Sequence, residues 1–80
     1  MIYKFPAVFE YDKEDNKYIN VFFPDLLGVF TFGEGMDDAM NMAKDALYCA
    51  LENDDYRKIT PSPIDKLSKY EVVKLVEVDK

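Results

Sequence analysis

One helical pattern in the middle of the chain constrains the fold more than any other feature. Between Met36 and Leu51, apolar residues recur at steps of three and four, so they share one face of a helix with 3.6 residues per turn. Asp37 and Asp38 fall in the first turn, where carboxylates complement the helix dipole, and Gly35 stands at the predicted N-cap. The predicted apolar stripe is Met36, Ala39, Met40, Ala43, Ala46, Leu47, Ala50 and Leu51. Its alanines let the helix lie close to a sheet.

Two alternating segments before this helix predict an antiparallel hairpin. Residues 2–11 and 18–23 each alternate with the two-residue period of a half-buried strand, and the polar run 12–17 between them predicts a turn. The odd-numbered residues of both strands form the predicted inner faces. Pro6 cannot donate a ladder hydrogen bond, so we expect part of the first strand to lie at an edge or a bulge.

The remaining segments complete the predicted sheet. A Pro-Asp turn leads into a third strand over 29–32, and residues 71–78 form the last strand. Segment 52–70 is long for a connection and contains a Pro-Ser-Pro sequence, which disfavours a regular helix there. Because the last strand follows a helix, a right-handed crossover would lay it parallel beside the first strand. The prediction is an α+β fold, β-β-β-α-β, with a mixed sheet of order 3-2-1-4 and one helix on one face.

Composition excludes several classes of protein. Eighty residues make one small domain, 1–80, of modest stability. The net charge of −6 argues against DNA or RNA binding and suits a basic partner. The lone Cys49 excludes an internal disulfide, and without histidine it lacks the usual base, so we expect a small half-buried side chain. No apolar run reaches membrane-spanning length and no signal peptide is evident, which indicates a cytoplasmic protein.

One face of the predicted sheet remains uncovered, because a single helix cannot cover both. Exposed aromatic and aliphatic side chains on such a face are typical of a docking surface. The predicted partner contacts are Val8, Tyr18, Phe22, Asp25, Val29 and Glu34. Three alternatives stay open: segment 52–70 folds back over this face, a second copy covers it, or Asp25 serves only to cap its own turn. The acidic runs Asp12–Asp15 and Glu52–Asp55 are either further contacts or solvated turns.

Several short motifs occur in order along nearly the whole chain. They are Phe5–Phe9, Phe22–Leu26, Gly28, Phe30–Gly33, Asp37–Ala39, Ala43–Leu47 and Val76–Asp79. Together they resemble the HicB-type antitoxins, in which a turn of the form FPDLPG precedes a helix of the form LEEAL-x-NAKEAL. Two positions depart from the family pattern: Leu27 stands where the family has proline, and Val29 where it commonly has cysteine.

This resemblance implies a partial RNase H-like domain that acts as the antitoxin of a type II toxin–antitoxin pair. The implied partner is a HicA-type toxin, a small basic mRNA-cleaving ribonuclease, whose active site the antitoxin blocks. Longer members of the family carry a DNA-binding segment after the last strand. Since the sequence ends at Lys80, we expect no DNA binding from the chain as given. The resemblance implies no catalytic residue, cofactor or metal, and base rates favour a homodimer.

Two other functions remain as alternatives at this stage. A metal-dependent RNase H-like nuclease would need carboxylates from the first strand, the helix and the last strand. The candidates are Glu10 or Asp12, Asp38 or Asp45, and Glu71, Glu77 or Asp79. They fall at strand ends and on the outer face of the helix, where solvated charge is the ordinary explanation. The other alternative is a stand-alone dimeric module that binds an unknown ligand.

Overall fold

A four-stranded sheet with one long helix on one face forms the described part of the chain. The computed structural model describes residues 1–11, 17–64 and 70–80. The elements are β1 (Ile2–Tyr11), β2 (Tyr18–Phe22), β3 (Phe30–Glu34), α1 (Met36–Ala50), α2 (Asp54–Arg57) and β4 (Glu71–Asp79). The sheet order is β3-β2-β1-β4, which confirms the predicted α+β fold and strand order. The predicted turn at 12–17 and the acidic run at 12–15 lie, apart from Lys17, outside the described residues.

The predicted parallel direction of β4 was wrong, and so was the mixed sheet. β4 pairs antiparallel with β1 over nine residue pairs, from Ile2–Asp79 to Glu10–Glu71, and every strand pair in the described sheet is antiparallel. The helix α1 ends at the end of the sheet where a parallel β4 would begin. Segment 52–70 instead carries the chain to the opposite end, where the Tyr11 amide donates to the Tyr70 carbonyl oxygen at 2.8 Å. A connection of this length can reach the opposite end of the sheet, from which β4 runs antiparallel to β1.

The core lies between α1 and the inner face of the sheet. The inward residues of β1 and β2 are those that the alternation predicts, and the alanine stripe of α1 packs on them. The buried cluster consists of Phe5, Ala7, Phe9, Ile19, Val21, Phe23, Leu26, Ala39, Ala43, Leu47, Leu51, Val76 and Val78. No polar or charged side chain is buried among the described residues. Apolar burial therefore holds the helix to the sheet.

Two prolines end the pairing between β1 and β2. Their described pairs run from Tyr11–Ile19 to Val8–Phe22. Two residues further in this register, Pro6 would face Pro24, and neither has an N–H group to donate. Residues 2–7 of β1 consequently pair only with β4 in the described sheet. This confirms that Pro6 lies in a part of the strand that is open on one side.

The third strand lies very close to the helix, and Gly33 makes this possible. Gly33 faces α1 from β3 and is buried. A Cβ built at this position would lie 2.6 Å from the Ala39 Cα atom and 2.7 Å from the Asp38 carbonyl carbon. These neighbours are helix backbone, which cannot move aside as a flexible side chain can. Only glycine fits here without displacing α1.

We expect Gly33→Ala to destabilise the fold by about 1–3 kcal/mol, the usual cost of overpacking a tight core. Urea unfolding followed by circular dichroism measures the change. Gly28→Ala is the comparison, since Gly28 has a φ of +83° but nothing within 4 Å of a built Cβ, so that only backbone strain is added. Equal stability of Gly33→Ala and the unmodified chain would contradict the close approach.

The end of β4 is fastened to the end of α1 by one lysine. The Lys80 ammonium donates to the Glu52 carboxylate at 2.6 Å and to the Tyr48 carbonyl oxygen at 3.2 Å, and it lies 3.8 Å from the centre of the Tyr48 ring. The last turn of α1 has no basic residue of its own. Lys80 therefore supplies the positive charge that complements the C-terminal end of the helix dipole.

Because of this contact, we expect the stability of the fold to decrease in acid. The hydrogen bond from Lys80, and then its charge, lowers the pKa of Glu52 from its usual 4.5. A lowered pKa contributes stability that is present above 4.5 and is lost as the pH falls through the folded-state value. We expect Glu52→Gln to have a lower urea midpoint than the unmodified chain near neutral pH, and the two midpoints to converge in acid. If the difference between the two urea midpoints does not change with pH, the Lys80–Glu52 ion pair contributes nothing to stability.

Candidate partner-binding surface

The outer face of the sheet, which points away from α1, is divided into two halves. On the β1–β4 half, Pro6 and Val8 are buried. The segment from Pro61 to Ile64 borders this half and leaves an open groove of about 310 Å³, which Val73 and Leu75 also line. The alternative in which segment 52–70 folds back over the outer face therefore holds for residues 61–64 on this half, but the described part of the segment leaves Tyr18 and Phe22 exposed.

The other half of the outer face, on β2 and β3, exposes four aromatic side chains. We call Tyr18, Phe22, Phe30 and Phe32 the aromatic patch; their exposed fractions are 38%, 39%, 75% and 58%. Phe22 pairs with Phe30 across the two strands. The rings of Tyr18 and Phe32 meet edge to face, with 6.2 Å between their centres. A contiguous exposed aromatic surface of this kind marks an interaction site more often than ordinary surface.

Charged groups stand at one end of this patch. Lys17 forms an ion pair with Glu34 at 3.5 Å, and its ammonium lies 5.7 Å from the centre of the Tyr18 ring. Both side chains of the ion pair are more than half exposed, so water screens it strongly. An apolar centre with a solvated charged border is the usual arrangement of a protein–protein interface.

The predicted contact residues fall in three different environments. Tyr18 and Phe22 belong to the aromatic patch, and Glu34 stands at its border. Val8 lies on the same outer face but is only 2% exposed, so it offers a partner almost no surface. Val29 does not lie on this face at all, because it packs partly buried against the core cluster.

Asp25 has a structural contact that reaches beyond its own turn. Its carboxylate accepts a hydrogen bond from the Ser62 amide at 3.0 Å, and nearby the Tyr56 hydroxyl donates to the Leu27 carbonyl oxygen at 3.2 Å. These two bonds join the turn after β2 to segment 52–70. Leu27, at the tip of this turn, is almost completely exposed.

Phe30 and Phe32 were not among the predicted partner contacts, whereas Val29 was. The inclusion of Val29 corresponds to a β3 that is one residue out of phase with the strand observed. In the structure Thr31 and Gly33 face α1, and the phenylalanines point away. Gly33 was the available signal, since a glycine between larger residues indicates a close backbone approach.

The other candidate groups do not assemble into a reactive site. Cys49 is exposed, which corrects the expectation of a half-buried side chain. Within residues 1–11, 17–64 and 70–80, no group of three or more Asp, Glu or Cys side chains lies close enough to hold a metal ion. Asp12 lies outside these ranges, and Asp38 instead accepts a hydrogen bond from the Glu34 amide at 2.9 Å. No helix in the described parts of the chain is long and apolar enough to cross a membrane.

Comparison with known proteins adds independent information. The family model of the HicB-like antitoxin of bacterial toxin–antitoxin systems matches residues 5–80. No curated protein matches the chain. Among solved structures, a chain of a toxin–antitoxin complex from Streptococcus pneumoniae is similar, with a TM-score of 0.74 and 25% sequence identity. The match covers 99% of this chain and 70% of that one.

The fold, the motif order and the match over residues 5–80 agree with one another. The protein belongs to the HicB-like antitoxin family of bacterial toxin–antitoxin systems.

Proposed function

We propose that this antitoxin neutralises a HicA-type toxin, a small basic mRNA-cleaving ribonuclease, by covering its active site with the aromatic patch. The observation that carries the proposal is the exposure of Phe30 and Phe32 beside Tyr18 and Phe22 on one half of the sheet. Aromatic side chains in the centre of an interface supply most of its binding free energy. The toxin is the partner because the family is an antitoxin family.

Charge supports the same partner. The chain carries a net charge of −6, with sixteen acidic and ten basic residues. A basic ribonuclease is attracted over long distances by such a chain, which raises the association rate more than the final affinity. We therefore expect association to slow as the ionic strength rises, while the aromatic contact keeps the complex together.

The remaining parts of the proposal concern how the antitoxin acts. Residues 1–80 act as one partial RNase H-like domain in the cytoplasm, where the toxin meets its mRNA. The chain inhibits by occlusion and performs no chemistry, so it requires no metal or cofactor. The acidic charge makes DNA a poor ligand for these residues.

The double variant Phe30→Ser/Phe32→Ser tests the proposed surface. We expect it to bind a HicA-type toxin at least about tenfold more weakly, since each buried aromatic anchor contributes on the order of 2 kcal/mol or more. Calorimetry measures the affinity, and cleavage of an RNA substrate by the toxin measures the loss of inhibition. Because both side chains are exposed, we expect the urea midpoint to change little.

Met42→Ser is the matched control, since Met42 is 39% exposed on the outer side of α1. It should inhibit the toxin as the unmodified chain does. If the patch variant inhibits normally while the control does too, the toxin binds elsewhere. If the unmodified chain binds no such toxin, the HicA-type partner itself is wrong.

A homodimer is the second part of the proposal, and the outer edge of β4 is its interface. No described strand pairs with that side of β4. Antiparallel pairing of two copies about Leu75 would place the two Leu75 side chains together and Val73 opposite Glu77. Leu75 is 63% exposed, so this pairing would bury apolar surface that the single chain leaves in water.

We expect light scattering to give the mass of two chains for the unmodified protein, and of one chain for Leu75→Lys. The substitution brings two ammonium groups together at the two-fold axis, where like charges oppose pairing. Leu27→Lys, at a fully separate exposed position, should remain dimeric. A single-chain mass for the unmodified protein at every concentration would remove the homodimer from the proposal.

A further inference from the structure

Part of β1 has an open edge in the middle of the molecule. The Tyr11 amide donates to Tyr70 and the Met1 carbonyl oxygen accepts from Lys80, so the odd-numbered residues of β1 direct their backbone groups towards β4. The backbone N–H and C=O groups of Ile2 and Lys4 therefore point to the opposite side. β2 reaches only to Val8, and no other described strand pairs with this side.

A groove lies directly beside these free backbone groups. Its volume is about 510 Å³, within the range of about 300–1,000 Å³ that is common for ligand sites. One wall is the edge of β1, and Ile59 and Pro61 form the opposite wall. The lining residues are Ile2, Tyr3, Lys4, Phe5, Ile59, Pro61 and Glu77. The groove is thus apolar on the side of Ile59 and has hydrogen-bonding backbone along its length.

We propose that this groove binds an extended segment of a partner protein, which adds to the edge of β1 as a further strand. The N–H and C=O groups at Ile2 and Lys4, two residues apart, have the spacing of a strand edge, to which an extended segment can be added. The site is separate from the aromatic patch and does not depend on which toxin the patch binds.

The charge at the edge selects the side chains of this segment. Lys4 already pairs across the strands with Glu77, at 3.5 Å. An acidic residue on the added strand, placed opposite Lys4, would lie on the other side of the same ammonium group. Its neighbours in the sequence would face Tyr3 and Phe5 on the inner side, where apolar side chains fit. The preferred segment is therefore an acidic residue between apolar ones.

A second copy of this chain does not suit the same edge. Antiparallel pairing of two such edges about Lys4 would bring two lysines directly opposite each other, which is destabilising. It would also place Ile2 opposite Pro6, which has no N–H to donate. The occupant is consequently not the same edge of β1 from a second copy.

A peptide probe tests this directly. The sequence of residues 74–79 of this chain, as a peptide with blocked ends, has a glutamate between two valines and already pairs with β1 in the fold. We expect its addition to shift the amide NMR signals of Ile2 and Lys4 and to slow their hydrogen exchange. A control peptide in which the backbone N–H groups that would face β1 are replaced by N-methyl groups should cause neither change.

Two substitutions of Lys4 separate backbone pairing from charge. Lys4→Pro removes the N–H that points away from β4 together with the ion pair to Glu77, and we expect it to weaken peptide binding by more than about tenfold. Lys4→Ala keeps the N–H and loses an exposed ion pair, so we expect a change below about fivefold. The N-methylated peptide on the unmodified chain keeps the test valid if Lys4→Pro does not fold.

Three results would overturn the proposal. They are no signal change at millimolar peptide, equal binding of the N-methylated peptide, and changes confined to Tyr3 and Phe5, which would mean that the peptide has displaced β4. Because the test uses no toxin, its outcome is independent of the proposed antitoxin surface.

Discussion

Gly33 lies so close to the backbone of α1 that even a methyl group at this position would collide with the helix. This approach, continued along the buried alanines Ala39 and Ala43, brings the helix directly onto the inner side chains of the sheet. The only long helix that the structure describes packs on the inner face of the sheet. Because no other long helix is described, the outer face must be covered by a loop or a partner, or remain exposed to water. The arrangement of possible binding surfaces follows from this single constraint.

Proline and chain length then divide the uncovered surface. Pro6 and Pro24 stop the pairing of β1 with β2, so that half of a central strand has one open side. Tyr56 and Ser62 hold their part of the chain to the turn after β2 through the Asp25–Ser62 and Tyr56–Leu27 bonds, and residues 61–64 border the β1–β4 half of the outer face. The aromatic patch lies on the other half and is exposed. The groove therefore lies where the pairing of β1 with β2 ends, and the aromatic patch lies on the half of the outer face that residues 61–64 do not border.

The chain belongs to an antitoxin family, and the described side chains agree with binding of a partner. No acidic side chain is buried among the described residues, and four aromatic side chains of β2 and β3 are exposed. The two proposed binding surfaces, the aromatic patch and the groove beside β1, are separate from each other. The patch lies on β2 and β3, and the groove lies beside residues 2–5 of β1, beyond the point where the pairing of β1 with β2 ends, so the two surfaces share no residue.

The sequence by itself determined the elements, because a period of two or of 3.6 residues is a local property of the chain. It predicted the inner faces of β1 and β2, the stripe of α1, the strand order and the family, whose motifs are local as well. Tertiary structure decided the direction of β4, since that direction depends on the end of the sheet at which the chain enters β4 after segment 52–70. Tertiary structure also decided which side of β3 faces α1. The alternation over Phe30–Gly33 does not by itself say which set of alternate residues faces the helix, and the contact of Gly33 with the helix backbone decides it. The exposure of Phe30 and Phe32 follows from that contact, so the main part of the candidate surface required the folded chain.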